Sequence, residues 1–182
     1  MRALLVGSIL MAANPANSQE VTIVINNKDF MEYVIIPVLE SLEMDSEAAR
    51  RLMMGTALVE SDLTYLRQHS RGPALGVFQM EESTYDDIVH RYFKGPGQNE
   101  EARFRRTVMG NYSAMRMIYD LQYAAALARV RYWMETEPLP DKDNIHGLAV
   151  YWKTHYNSAG GAGKTYKFEN KLRRYLSSIR ED

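Results

Sequence analysis

Apolar residues recur at the three- and four-residue spacing of helices over most of the chain. The first such pattern predicts a helix over residues 28–43, which Pro37 must either kink or divide because proline lacks a backbone N–H. A second helix is expected to start after a cap at Asp45 or Ser46 and to end near Glu60. The interior of that helix is apolar on the side that includes Ala57, Leu58 and Val59, which predicts a buried face.

The same spacing continues to the end of the chain. It predicts a helix from Ser83, a short one over 99–108, a long central one over 112–134, one over 146–155 capped by Asp143 or Asn144, and an amphipathic one from Thr165. No segment repeats, and no clear hairpin pattern stands out. The pattern therefore predicts a single all-α domain with a long central helix.

Composition supports one ordinary globular domain. The chain has 182 residues, of which 46% are hydrophobic and 25% charged. A formal net charge of -1 argues against nucleic acid as a partner, since nucleic-acid binding favours a basic surface. Because there is no cysteine, disulfides and thiol chemistry are excluded.

The first 18 residues differ from the rest. One arginine, Arg2, precedes an apolar run over residues 3–13, and Ala16-Asn17-Ser18 forms a cleavage-type pattern of small residues. The run is short for a bilayer-spanning helix. These features predict a signal peptide or an N-terminal anchor over residues 1–18, a domain over 19–182, and export to the periplasm or cell envelope.

The stretch over residues 55–84 has the layout of a site. An apolar helix ends on a carboxylate, Glu60, and a polar loop then leads to a glycine-bearing segment that ends in Gln79. Glycines let a backbone approach a ligand closely, and binding residues concentrate on such loops. The apolar neighbours of Glu60 would raise its pKa by desolvation, which suits a general acid.

This stretch resembles the soluble lytic transglycosylases and the related goose-type lysozymes. The matching positions are Glu60-Ser61, Ser70, Ala74, Gly76 and Gln79, with Val77-Phe78 in place of the usual Leu-Met pair and Gly72-Pro73 departing from the usual order. The resemblance covers about a sixth of the chain. It implies a lysozyme-like fold and cleavage of the MurNAc–GlcNAc β-1,4 bond of peptidoglycan, with glycan strands as the partner. The G-P-A-L-G-x-x-Q-M-E stretch is also similar to phage and prophage sequences, so a virion or phage lysis protein is the alternative setting.

The resemblance also implies roles for individual residues. Glu60 would act as general acid and base, Ser70 would orient it, and Gly76 and Gln79 would contact the substrate. Phe78 would either lie beside the cleft or be buried in the core. Most glycosidases use a second carboxylate, and none here stands in a recognisable motif. This favours lytic transglycosylase chemistry, in which the muramic acid 6-hydroxyl replaces water, over a lysozyme-type hydrolase.

A looser resemblance lies near the C-terminus, where the family has a tyrosine close to the catalytic acid. Tyr156-Asn157 matches the family dipeptide before a glycine loop, whereas Tyr151 matches the preceding register. Tyr156 is favoured, both tyrosines remain candidates at this point, and a core position is an equal alternative for either. Trp152 is expected either to stack on a sugar or to lie in the core.

Other possible sites are weak. Residues 158–165 (SAGGAGKT) nearly match a phosphate-binding loop, but Ser158 replaces the first glycine and a helix precedes the segment, which argues against a nucleotide. The four histidines show no spacing for a metal. No cofactor or metal is expected. The alternative from a different class is a non-catalytic protein that binds the cell wall or belongs to a virion, with envelope or virion proteins as partners.

Overall fold

The computed structural model describes residues 25–67, 72–157 and 163–180, and nearly all of their regular structure is helical. The elements are α1 (Asn27–Phe30), the π-helical segment π1 (Met31–Ile35), α2 (Ile36–Ser41), α3 (Glu47–Ser61), β1 (Ala74–Leu75), β2 (Met80–Glu81), α4 (Glu82–Asp86), the π-helical segment π2 (Asp87–Tyr92), α5 (Gln98–Thr107), α6 (Arg116–Tyr119), α7 (Leu121–Trp133), α8 (Ile145–His155) and α9 (Thr165–Ser178). The predicted all-α class is thus confirmed at the level of a mainly helical chain. None of the described helices combines the length and hydrophobicity needed to cross a bilayer.

Three sequence predictions fall on other residues. The signal peptide or anchor over 1–18, the loop serine Ser70 and most of the glycine-rich segment 158–165 lie outside the described residues.

The first predicted helix changes its hydrogen-bonding pattern next to Pro37. The chain passes from α1 through π1 into α2, with Pro37 in the first turn of α2. A proline deprives the carbonyl four residues earlier of its usual donor. That carbonyl belongs to Tyr33, and the side-chain amide of Gln122 donates to it at 3.4 Å. The widened π-helical turn and this bond let the chain continue through the proline without ending.

The helix α3, which carries Glu60, begins and ends at well-defined residues. The Ser46 hydroxyl caps its first turn by accepting from the Ala49 N–H at 3.1 Å, as the sequence predicted. After the helix, Asp62 and Leu63 both take left-handed backbone conformations with φ near 55°. The carbonyl of Leu58 accepts from the Asp62 N–H at 3.0 Å, and Lys171 of α9 adds a second donor to it at 2.8 Å, which brings a cation to the end of the helix.

Gly55 of α3 permits close packing of α9. A Cβ at Gly55 would lie 2.3 Å from Cζ of Phe168, so the absence of a side chain makes room for that ring. The Phe168 ring stacks in turn on Trp152 of α8, with centroids 5.6 Å apart. The three helices α3, α8 and α9 thereby form the packed unit that supports the end of α3.

The predicted long central helix is wrong in its length. The chain is broken at Asp120, whose extended backbone separates α6 from α7. The Asp120 carboxylate caps α7 by accepting from the Tyr123 N–H at 2.9 Å, and Arg116 donates to the same carboxylate at 2.9 Å. This local bonding outweighs continuation of the helix. The predicted central position is confirmed, since every residue from 123 to 130 is buried.

A small hairpin follows the loop after α3, where the sequence showed no clear hairpin. Strands β1 and β2 pair antiparallel, with Ala74 opposite Glu81 and Leu75 opposite Met80. Two-residue strands are too short to produce a detectable alternation of apolar and polar residues. The four-residue turn between them, residues 76–79, is the glycine-bearing segment singled out by the sequence.

The remaining helices agree closely with expectation. The short helix α5 and the last helix α9 lie where they were predicted, and Asn144 caps α8 by accepting from the Gly147 N–H at 2.8 Å. The helix predicted from Ser83 begins one residue earlier, at Glu82, without a side-chain cap.

Candidate active site

Glu60 lies in the last turn of α3 and is half-buried. Its Oε1 accepts a hydrogen bond from Nε1 of Trp152 at 2.9 Å. Burial of the carboxyl raises its pKa to about 6, and the hydrogen bonds from Trp152 and Asn157 and the charge of Lys153 offset part of this rise. The apolar setting predicted for Glu60 is therefore present.

A carboxyl with a pKa of about 6 is suited to move a proton in both directions. At pH 7 about a tenth of such groups hold their proton, against far fewer for an exposed glutamate. The group can donate that proton to a leaving oxygen and then take one back from an incoming hydroxyl. The chemistry available at Glu60 is therefore general acid and base catalysis.

Asn157 faces Glu60 in a fixed orientation. Its Oδ1 accepts from Nζ of Lys153 at 2.9 Å and from the N–H of Gly163 at 3.2 Å. Since the amide oxygen is occupied by two donors, the hydrogen bond to Glu60 comes from the Nδ2 group. The sequence predicted Asn157 as a substrate-contacting residue, and the structure places it against the carboxyl itself.

The turn that contains Gly76 and Phe78 is held in the interior. Gly76 has φ +71°, and a Cβ there would lie 2.3 Å from the backbone oxygen of Met117. The ring of Phe78 is 0% exposed and packs against Phe30, with centroids 6.0 Å apart. Of the two positions expected for Phe78, the structure shows the core, and both residues support the turn. Contact of the Gly76 backbone with a substrate stays a prediction.

Gln79 differs from its neighbours in the turn, because it is only half-buried. Its backbone is left-handed, with φ +46°, an uncommon conformation for a residue with a side chain. Its Nε2 donates to the carbonyl of Gly76 at 2.7 Å, which fixes the orientation of the amide. Such strain concentrates at functional sites, and Gln79 remains a predicted substrate contact.

The structure separates the two tyrosine candidates. The hydroxyl of Tyr156 donates to the carbonyl of Phe78 at 2.9 Å, and Glu60 acts on the phenol electrostatically. Tyr151 is buried and donates to the carbonyl of Glu137 at 3.0 Å, with Glu135 and Glu137 as its acidic neighbours. Tyr156 therefore lies beside the carboxyl, and the predicted contact of Tyr151 with a substrate is corrected because its hydroxyl points to the loop after α7.

Two residues support the site through contacts that the sequence did not predict. Of the two positions expected for Trp152, the core is confirmed, since the residue is 1% exposed, and its N–H donates to Glu60. Ser61, which directly follows Glu60, donates to the carbonyl of Val77 at 2.6 Å and ties the end of α3 to the turn. Ser61 could have been found from the sequence by its place in the Glu-Ser pair. The contact of Trp152 with Glu60 spans 92 positions, so no local pattern in the sequence indicates it.

A polar groove runs beside the end of α7. Its volume is about 480 Å³, and its lining residues are Ser83, Thr84, Asp87, Arg91, Arg131, Met134 and Glu135. Glu135 also contacts Nδ1 of His155 at 3.1 Å, and His155 immediately precedes Tyr156. Among the described residues there is no cluster of three or more acidic or histidine side chains arranged to hold a metal.

Comparison of the chain with protein-family models, with curated proteins and with solved structures found no significant match.

Proposed function

We propose that the protein is a peptidoglycan-cleaving glycosidase that breaks the MurNAc–GlcNAc β-1,4 bond, with Glu60 as its general acid and base. The observation that carries the proposal is the half-buried Glu60 carboxyl, with a pKa raised to about 6, beside the glycine-bearing turn. Resemblance of this stretch to the lytic transglycosylases and goose-type lysozymes supplies the substrate class. The mainly helical fold is compatible with a lysozyme-like domain.

In the proposed reaction, the protonated Glu60 gives its hydrogen to the oxygen that links the two sugars, and the bond from that oxygen to C1 of MurNAc breaks. The carbonyl oxygen of the MurNAc N-acetyl group bonds to C1 as the bond to the leaving oxygen breaks. The Glu60 carboxylate then removes the proton from the 6-hydroxyl of the same sugar, whose oxygen bonds to C1 and displaces the N-acetyl oxygen. The products are a free GlcNAc 4-hydroxyl and a 1,6-anhydroMurNAc end, and Glu60 is again protonated.

The surroundings of Glu60 favour this route over hydrolysis. Asp62 is ion-paired with Lys171 at 2.8 Å, and Asp87 with Arg91 at 2.6 Å. Glu81 and Glu82 are exposed. The charged side chain that acts on Glu60 is a cation, Lys153. A hydrolase of the usual kind has a second carboxylate facing the acid, and among the described residues no carboxylate is one of the groups that act on Glu60.

In this proposal the partner is the glycan strand of a cell wall, reached by export to the periplasm or cell envelope, or in a phage setting. A muramidase that uses water is the alternative within the same chemistry. A wall-binding or virion protein that retains the fold is the alternative without chemistry, although binding alone does not require a desolvated acid.

The test is digestion of purified peptidoglycan by the full chain, followed by mass spectrometry of the soluble fragments. Fragments with 1,6-anhydro ends support the proposed reaction, whereas fragments heavier by one water identify the hydrolase. Glu60→Gln should abolish release, while Glu40→Gln, an exposed carboxylate on α2, should leave it unchanged. Protein that sediments with the wall but releases no fragments would overturn catalysis and identify a binding protein.

A further inference from the structure

The groups that hold the Glu60 carboxyl come from one short segment at the end of α8. Trp152 donates directly to Oε1 at 2.9 Å, and Asn157 donates from the turn that follows the helix. Lys153, next to Trp152 and four residues before Asn157, holds the amide oxygen of Asn157 at 2.9 Å. This short segment at the end of α8 therefore supplies a direct hydrogen bond, a second donor and a positive charge.

The indole of Trp152 holds the Glu60 carboxyl in one orientation. An indole N–H only donates, so the oxygen that it contacts acts as an acceptor in both protonation states. Trp152 is itself immobilised, because it is 1% exposed and stacks on Phe168.

Lys153 acts on the same carboxyl in two ways. By bonding to Oδ1 of Asn157 it turns the Nδ2 donor of that residue toward Glu60. Its ammonium also favours the ionised carboxyl, against the effect of burial.

We infer that Trp152 and Lys153 are positioning residues for Glu60, the first through its indole N–H and the second through Asn157. Together they set the direction of the carboxyl and the pH range over which it holds a proton. Their catalytic meaning rests on the proposed function, but their hold on Glu60 can be measured without a substrate.

Other ionisable groups face Glu60 from the neighbouring elements. The phenols of Tyr132 on α7 and of Tyr156 after α8 both interact with it electrostatically, and burial raises the pKa of each phenol, which keeps both neutral. Lys171 of α9 contacts Asp62 and the carbonyl of Leu58 at the end of α3. Lys153 is thus the cation whose removal should change the ionisation of Glu60 most directly.

The first experiment is a pH titration of the glutamate side-chain carboxyls by carbon-13 NMR, in protein labelled at that carbon. The spectrum of Glu60→Gln identifies the Glu60 resonance by its loss. In Lys153→Met the midpoint of Glu60 should move to higher pH by about one pH unit, because a cation and an ordered donor are lost. Lys153→Arg keeps the charge and should restore most of the original midpoint. Lys167→Met removes an exposed lysine of α9 and should leave the midpoint unchanged.

The second variant, Trp152→Phe, keeps an aromatic ring at position 152 that can pack against Phe168 but removes the indole N–H. Its Glu60 midpoint should also move to higher pH, since a donor to the carboxylate is lost. If this buried substitution prevents folding, the Lys153 variants still test the inference for Lys153, because that side chain is half-exposed. Unchanged midpoints in folded Lys153→Met would overturn the role of Lys153, and an unchanged midpoint in folded Trp152→Phe would overturn that of Trp152.

Activity is measured separately on peptidoglycan. If the enzyme cleaves, the fall of its rate at high pH should occur at a higher pH in Lys153→Met. In Lys153→Arg the fall should occur close to its original pH. If the NMR midpoints move as expected but the unaltered protein releases no fragments, the inference holds and the proposed function fails. If cleavage occurs and the midpoints do not move, the proposed function holds and the inference fails.

Discussion

The hydroxyl of Tyr156 and the backbone carbonyl of Phe78 form a 2.9 Å hydrogen bond that joins the end of α8 to the hairpin turn across 78 positions of sequence. The ring of the same tyrosine packs against Tyr132 of α7 in a tilted arrangement, with ring centroids 5.2 Å apart. One side chain thus connects the central helix, the turn and the surroundings of Glu60.

Tyr156→Phe should weaken this connection. Loss of the hydroxyl leaves the Phe78 carbonyl without that donor, and the free energy of unfolding should fall by about 1–2 kcal/mol. Because the turn borders Glu60, wall cleavage should slow about tenfold or more. Tyr151→Phe is the matched control: it loses a similar bond, to the Glu137 carbonyl, and should cost similar stability without slowing cleavage. Equal rates in the two variants would contradict the role given to Tyr156.

Glu60 should make stability depend on pH. Its pKa in the folded protein, about 6, is above its ordinary value of 4.5, so the folded state binds the proton more tightly than the unfolded state. The contribution of the group is therefore fully favourable below pH 4.5 and is lost as the pH rises through 6. The difference of about 1.5 pH units corresponds to at most about 2 kcal/mol. Denaturant unfolding should show Glu60→Gln to be more stable than the unaltered protein at pH 8, and no such advantage at pH 4.

Gly76→Ala should be strongly destabilising. The new methyl would meet the Met117 backbone oxygen at 2.3 Å, and the left-handed backbone adds strain, so a loss of about 2 kcal/mol or more is expected. Gly110→Ala is a useful comparison, since its φ is also positive but its nearest contact is the flexible end of Arg116 at 3.2 Å. Its loss should be nearer 1 kcal/mol. Thermal or denaturant unfolding measures both variants, and similar losses would mean that Met117 can move.

Gly55→Ala should disturb the support of Trp152. A methyl group 2.3 Å from Cζ of Phe168 forces that ring aside, with an expected loss of about 1–3 kcal/mol. Adding Phe168→Leu should recover part of the loss, because the smaller side chain makes room. A double-mutant cycle by denaturant unfolding measures this coupling, and purely additive effects would show that the two residues do not compete for space.

The sequence predicted the helices whose signals are local. Ser46 and Asn144 were identified as possible caps because capping needs only a side chain and the next turn. The break at Asp120 was missed because the surrounding Ala-rich pattern favours one continuous helix. The bond from Tyr123 to Asp120 has the same three-residue spacing as the other two caps, so the signal was local but was outweighed by the apolar pattern around it.

The same division applies to the candidate site. Glu60, Gln79 and Tyr156 were selected by spacing and resemblance, and the structure gathers them around one turn. Both a cleft and a core position were open for Phe78, because an apolar residue in a glycine-bearing turn gives no indication of which side it faces. Trp152 and Lys153 act over long sequence separations or through a third residue, so no pattern in the sequence pointed to their contacts with Glu60.

The dependence of α3 on α9 has a consequence for how the protein is made. Lys171 reaches the Leu58 carbonyl across 113 positions, and Phe168 fills the space above Gly55. During translation, Glu60 leaves the ribosome long before these two partners exist. A chain that stops before Thr165 lacks both of them, so the supported form of Glu60 can arise only after α9 has emerged and docked. Synthesis itself therefore delays assembly of the site until α9 has been made.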